Sequence, residues 1–158
     1  MKWDIYKGKD ILPMWVADMD FLSPPAVVEA LKERAEHGVF GYTFAPEELG
    51  RVIVERMAAL YRWKIEPEWI VWLPGLVCGL NVVCRAIGKA SDAVLTQRPI
   101  YPPFLSAPPN QSRILQTSAM VLNGNRWEID LDDMRKAISP STRLYLLCNP
   151  HNPCGRIF

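Results

Sequence analysis

The stretch Leu144-Tyr145-Leu146-Leu147, running straight into Cys148-Asn149-Pro150-His151-Asn152-Pro153-Cys154-Gly155, constrains the fold more than any other part of this chain. The apolar half reads as a strand buried on both faces, the kind that parallel sheets use. An Asn/Pro/His/Gly loop after such a strand falls at the carboxyl edge of the sheet. That edge is where α/β folds bind ligands.

Upstream segments agree with that reading. Residues 1–22 carry few helix signals, and the apolar run Ile11-Leu12-Pro13-Met14-Trp15-Val16-Ala17-Asp18-Met19-Asp20-Phe21 reads as an extended arm. Ser23-Pro24 then opens a helix, with Ser at the N-cap and Pro at the first helical position, and Gly38 closes it. Leu49, Val52, Ile53, Met57 and Leu60 recur at helical spacing in a second helix that starts near Pro46.

Beyond Trp63 the character changes. Trp69-Ile70-Val71-Trp72-Leu73 predicts a strand, Pro74-Gly75 a turn, and residues 76–87 a helix stopped by Gly88. A strand at 93–96 leads to a proline-rich turn, Pro99-Ile100-Tyr101-Pro102-Pro103-Phe104. A further strand lies near 113–116, then a polar turn at Asn123-Gly124-Asn125 and a short acidic-first helix over 130–138. The last strand spans 143–147. Alternating strands and helices imply an α/β fold with a mostly parallel sheet covered on both faces.

Composition narrows the function classes. At 158 residues the chain is one ordinary domain in size, and 49% hydrophobic against 22% charged residues marks a globular protein. The net charge of +1 comes from interspersed charges, so neither nucleic acid nor an acidic membrane has an electrostatic footprint. The first residues lack a signal-peptide core, and the apolar stretch at 69–80 is interrupted by Pro74, Gly75 and Gly79. A cytoplasmic protein is the expectation. Cys78, Cys84, Cys148 and Cys154 form no CxxC, and free thiols are expected. Cys148, His151 and Cys154 could supply three metal ligands at most, with no second cluster to complete a tetrahedron. No metal is expected.

Three turns could carry chemistry. At Pro74-Gly75-Leu76-Val77 a helix start offers unpaired backbone N–H groups to an anion, and Gly75 allows close approach. The same residues also suit a plain turn, and neither GxGxxG nor a P-loop is present. Tyr101 reads either as one wall of a slot for a flat ligand or as a plug beside its prolines. Asn152 reads either as a fixed amide donor or as a loop cap. Tyr42, in Phe40-Gly41-Tyr42-Thr43, suits a buried corner as well as a ligand contact, while Trp15 and Trp72 read as core or interface. Jointly, an anion site, an aromatic wall and an amide donor suit a flat aromatic ring bearing a phosphate, and pyridoxal 5′-phosphate is such a molecule.

Several segments together resemble the MalY/PatB-type cystathionine β-lyases, carbon–sulfur lyases of the class I/II aminotransferase superfamily. They are Lys2-Trp3-Asp4 with the arm from Leu12 to Phe21, His37-Gly38-Val39-Phe40-Gly41-Tyr42-Thr43, the Tyr101 turn, Asn125-Arg126-Trp127-Glu128-Ile129-Asp130, and the Asn152 loop through Arg156. The resemblance implies part of an aspartate-aminotransferase-like large domain, with residues 1–45 as arm and first helix and 46–158 as the start of the cofactor domain. It implies a homodimer, a small sulfur-containing amino acid as substrate, and β-elimination to thiol, pyruvate and ammonia. By motif, Gly75, Leu76 and Val77 would hold the cofactor phosphate, Tyr101 would stack on the ring, and Asn152 would donate to its phenolic oxygen. Tyr42 would reach the partner's phosphate, and Val16 and Ala17 would line the substrate mouth. None of the lysines present matches the family's Schiff-base lysine, so no catalytic residue is assigned and the chain is expected to be a fragment that is inactive alone. An aminotransferase of the same fold is the alternative.

Overall fold

Ala93-Val94-Leu95-Thr96-Gln97-Arg98 forms strand β1 (Ala93–Arg98), buried at its first five positions. Such continuous burial requires cover on both faces and a strand on each side. Both are present. The computed structural model describes residues 2–158, and the chain divides into two units, Met1–Ala45 and Pro46–Phe158.

The second unit holds helices α2 (Glu47–Tyr61) and α3 (Leu76–Ala86), β1, α4 (Pro102–Asn110), β2 (Ile114–Asn123), β3 (Arg126–Ile129), α5 (Leu131–Ala137) and β4 (Thr142–Tyr145). The sheet order is β3-β2-β1-β4. β2 and β4 run parallel to β1, and β3 runs antiparallel to β2. The sheet is therefore mostly parallel, as the strand–helix alternation predicts. β4 pairing continues past its last residue, because Leu146 N–H donates to Leu95 O at 2.9 Å and Thr96 Oγ1 to Leu146 O at 3.0 Å. That extension carries order into the loop that follows.

The core joins Leu80 and Cys84 of α3, Val94 of β1, Ile100, Phe104 and Ala107 at α4, and Leu146 and Cys148 after β4. Each large apolar side chain buried there contributes about 1.5–3 kcal/mol. This cluster packs the two helices and the two loops that matter below against one another.

Local rules explain most element ends and some departures. α5 starts at Asp130, whose carboxylate accepts from the N–H groups of Asp132 (3.0 Å) and Asp133 (2.9 Å). Asp130→Ala should lower stability by about 1 kcal/mol, read as a reduced urea midpoint with unchanged m-value. The β2–β3 hairpin closes through Gly124 and Asn125, and Gly124 takes the positive φ of 59° that such short turns need. The sequence reading places a turn here but no strand after it, since Arg126-Trp127-Glu128-Ile129 is only four residues long.

Two expectations are corrected. Residues 69–73 form no strand: a 3-10 turn at Pro67–Trp69 precedes unpaired backbone, and Val71 is exposed. Strand preference expresses packing against a neighbour, and no described strand pairs with this run. The proline-rich stretch after β1 is a turn only as far as Tyr101, which caps α4. Pro102 and Pro103 occupy the first helical turn, whose N–H groups have no intrahelical acceptor, so their missing donors cost nothing there.

The first unit contains a 3-10 turn (Asp4–Tyr6), an extended arm, helix α1 (Pro25–His37) and an extended tail. α1 is capped by Pro24 rather than Ser23, and ends at Gly38 with φ 71°. The arm is tied back by Trp3 Nε1, which donates to Asp20 Oδ1 at 2.7 Å, and by Lys2 Nζ, which donates to Asp18 O (3.1 Å) and Asp20 Oδ2 (3.2 Å). The Trp3 and Lys2 donors hold the Asp20 carboxyl below its ordinary range. No helix among the described residues is long and apolar enough to cross a membrane.

Candidate functional site

The direction of each element determines where its ends lie. β1 and β4 run parallel, so the Tyr101 turn and the loop from Cys148 to Gly155 both leave the carboxyl edge of the sheet. α3 runs the other way. Its C-terminal end sits at the amino edge, because Arg113, just before β2, donates from Nε to Cys84 O (2.8 Å) and from a terminal nitrogen to Arg85 O (3.2 Å) and Gly88 O (2.9 Å). Eleven helical residues span about 16 Å and six strand residues about 20 Å. The start of α3 therefore reaches back to the edge from which Tyr101 and the Asn152 loop depart. α3 and α4 pack together, with Gln111 Nε2 donating to Asn81 Oδ1 at 3.2 Å.

The start of α3 is built to receive an anion. Gly75 stands at the N-cap in extended backbone, with no side-chain cap on the helix, and the first intrahelical donor is Gly79 N–H to Gly75 O. Among the described residues the N–H groups of Leu76, Val77 and Cys78 have no acceptor. A Cβ added at Gly75 would meet nothing within 4 Å, so the N-cap position itself is uncrowded. Three free donors at the positive end of an eleven-residue helix match a phosphate group.

The other two pieces are held by one buried residue. His151 is 1% exposed; its Nε2 lies 2.8 Å from Pro99 O and its Nδ1 3.1 Å from Cys148 O. The ring thus spans from the loop of Asn152 to the turn of Tyr101. His151 N–H donates to Arg156 O and Gly155 N–H to His151 O, closing the loop on itself. Tyr101 and Asn152 remain exposed, and among the described residues neither side chain has a hydrogen-bond partner. A ring and an amide, both free, are thereby held on firm backbone at one edge.

Neither Cys84 nor Cys154 is an activated nucleophile. Burial pushes the Cys84 thiol up, against the opposing charge of Arg113, and burial together with Cys148 pushes up Cys154. All four cysteines are free, and the described residues include no group of three or more metal-ligating side chains.

The sequence profile of the aminotransferase class I and II family matches residues 9–158. The chain belongs to that family. Cystathionine beta-lyase PatB of Bacillus subtilis (strain 168) is 39% identical over 161 residues, covering 99% of this chain and 42% of its own. A crystal structure of OvoB superposes with a TM-score of 0.92 at 44% identity, over 100% of this chain and 42% of that one. Cystalysin from Treponema denticola, whose crystal structure contains a pyridoxal 5′-phosphate cofactor, gives a TM-score of 0.89 at 31% identity, again over 100% and 42%. This member of the aminotransferase class I and II family thus spans 42% of the length of these relatives.

Within that frame Gly75, Leu76, Val77, Tyr101 and Asn152 lie at one edge of the second unit. Tyr42, Val16 and Ala17 lie in the first unit, all exposed, and Val16 adopts a positive φ of 63° that a β-branched side chain disfavours. Sequence reasoning weighs His151 only as a metal ligand and misses its bridging position. The available signal is its place between two prolines, which fix its backbone beside the amide it supports.

Proposed function

We propose that this protein is a pyridoxal-phosphate-dependent carbon–sulfur β-lyase, acting on a small amino acid whose β-carbon carries sulfur. The observation that carries the reading is the convergence at one sheet edge of three unpaired helix-start amides, the free Tyr101 ring and the free Asn152 amide. The likeness to PatB names the chemistry. The amides of Leu76 and Val77 hold the cofactor phosphate, and Gly75 leaves it room. Tyr101 stacks on the pyridine ring, and the Asn152 amide donates to the ring's phenolic oxygen, favouring its anionic form. The bound cofactor supplies the electron sink for cleavage at the amino acid's α-carbon. The protein's share is position: two loops joined through His151 hold wall and donor in fixed relation.

Val16 and Ala17 line the substrate mouth in this reading. Tyr42 reaches the phosphate held by a second copy of the chain, so the working form is a homodimer. The exposure of Tyr42 and its neighbours Phe40 and Phe44 supports that role, since apolar side chains on an extended tail gain from a partner surface. Free thiols support a reducing, cytoplasmic setting.

The test uses protein expressed from its complete reading frame and loaded with pyridoxal 5′-phosphate. It should release thiol and pyruvate from L-cystathionine in equal amounts. Amino-group transfer to a 2-oxo acid without thiol release would replace the lyase with an aminotransferase, which the same family and fold accommodate.

A further inference from the structure

We infer that His151 is a positioning residue: its imidazole bolts the Tyr101 turn to the Asn152 loop and so sets the spacing between the ring wall and the amide donor. The inference rests on the cofactor reading and extends it to a residue that touches neither cofactor nor substrate. Tyr101 and Asn152 lie 51 residues apart in sequence and on different connections, and their side chains make no hydrogen bond to one another or to any other described residue. The link between their backbones is the contact of His151 Nε2 with Pro99 O at 2.8 Å, two residues before Tyr101 and one residue before Asn152.

The second ring nitrogen faces Cys148 O at 3.1 Å, within the loop itself. A carbonyl accepts and cannot donate, so each contact needs a proton on the ring nitrogen, and a proton on Nε2 makes the bridge. The same ring meets Phe158 in a T-shaped contact, with centroids 5.9 Å apart and planes at 88°. At 1% exposure no water competes for these bonds. Loops that carry ligand groups are the most mobile parts of a fold, and a buried cross-brace is what converts two of them into one rigid element.

A bulky apolar replacement removes the bridge, while glutamine, whose amide can donate across a comparable reach, restores it. His37 is exposed, so a slowly exchanging imidazole N–H proton in long-range nitrogen–proton spectra that is present in wild type and lost in both variants is assigned to His151. The experiment compares wild type, His151→Leu and His151→Gln, each expressed from the complete reading frame. It records that proton in the apoprotein and then titrates pyridoxal 5′-phosphate by fluorescence quenching. Wild type should show the protected proton. His151→Leu should bind the cofactor about tenfold more weakly, with a shifted visible absorption band, and His151→Gln should return to within about threefold of wild type.

A wild-type imidazole N–H that exchanges freely would overturn the bridge. So would a folded His151→Leu with wild-type affinity and spectrum. Should His151→Leu fail to fold, His151→Asn, too short to reach Pro99 O, takes its place under the same two criteria. A wild type that shows the protected proton but binds no pyridoxal 5′-phosphate would overturn the proposed function and the positioning role with it, leaving the bridge as structure alone.

Discussion

Arg113→Met is expected to cost about 3 kcal/mol of stability, measured as a fall in the urea midpoint. Arg113 is 8% exposed and, among the described residues, has no carboxylate partner. Its charge is balanced instead by the carbonyls of Cys84, Arg85 and Gly88, which crowd the negative end of α3. Methionine has a similar length and no donors. It would spare the chain the burial of a charge, yet leave three carbonyl acceptors facing an apolar side chain. Each unsatisfied buried acceptor costs about 1–3 kcal/mol, and the three together outweigh the relief. Arg113→Lys should recover part of the loss, because an ammonium cannot fork to all three acceptors as the planar guanidinium does. A methionine variant within about 0.5 kcal/mol of wild type would show that the carbonyls find water instead, and would remove Arg113 as the rear anchor of α3.

That anchor shows what is legible in a sequence of this kind. Helices α1, α2 and α3 follow from apolar spacing and from Pro and Gly at their ends, and β1 and β4 from apolar runs too short for helices. The placement of the Tyr101 turn and the Asn152 loop at one edge follows from topology, since both leave the carboxyl ends of parallel strands, whereas Gly75 follows no strand and its place comes from the direction of α3. Arg113 and His151 are different. Both act through backbone carbonyls 25 to 52 residues away, and no local pattern in a sequence marks a carbonyl as needing a donor. Residues 69–73 show the opposite failure. Their β-branched and aromatic character is real, but strand formation depends on a neighbour that no described residue supplies. α4 was hidden because its four prolines argue against a helix in general, though the first two occupy the one turn where they do no harm.

Leu76→Pro is expected to weaken binding of pyridoxal 5′-phosphate roughly 10–100-fold while leaving the fold intact. Leu76 is the first residue of α3, where proline is tolerated because the N–H it lacks has no intrahelical acceptor. Gly75 ahead of it is extended, at φ 169° and ψ 161°, and so avoids the helical region that a following proline disfavours. The substitution thus removes one backbone donor from the anion site and little else. A hydrogen bond to a charged phosphate is worth about 1.5–3 kcal/mol, and that range corresponds to the expected loss of affinity. Leu76→Ala changes the side chain but keeps the amide, and should bind within about threefold of wild type. Pyridoxal without its phosphate should bind Leu76→Pro and wild type alike, because the deleted donor faces only the phosphate. Equal affinity of both proteins for the phosphorylated cofactor, with the helix content of Leu76→Pro unchanged by circular dichroism, would mean that the amides at the start of α3 do not hold it. The phosphate would then have to be placed elsewhere.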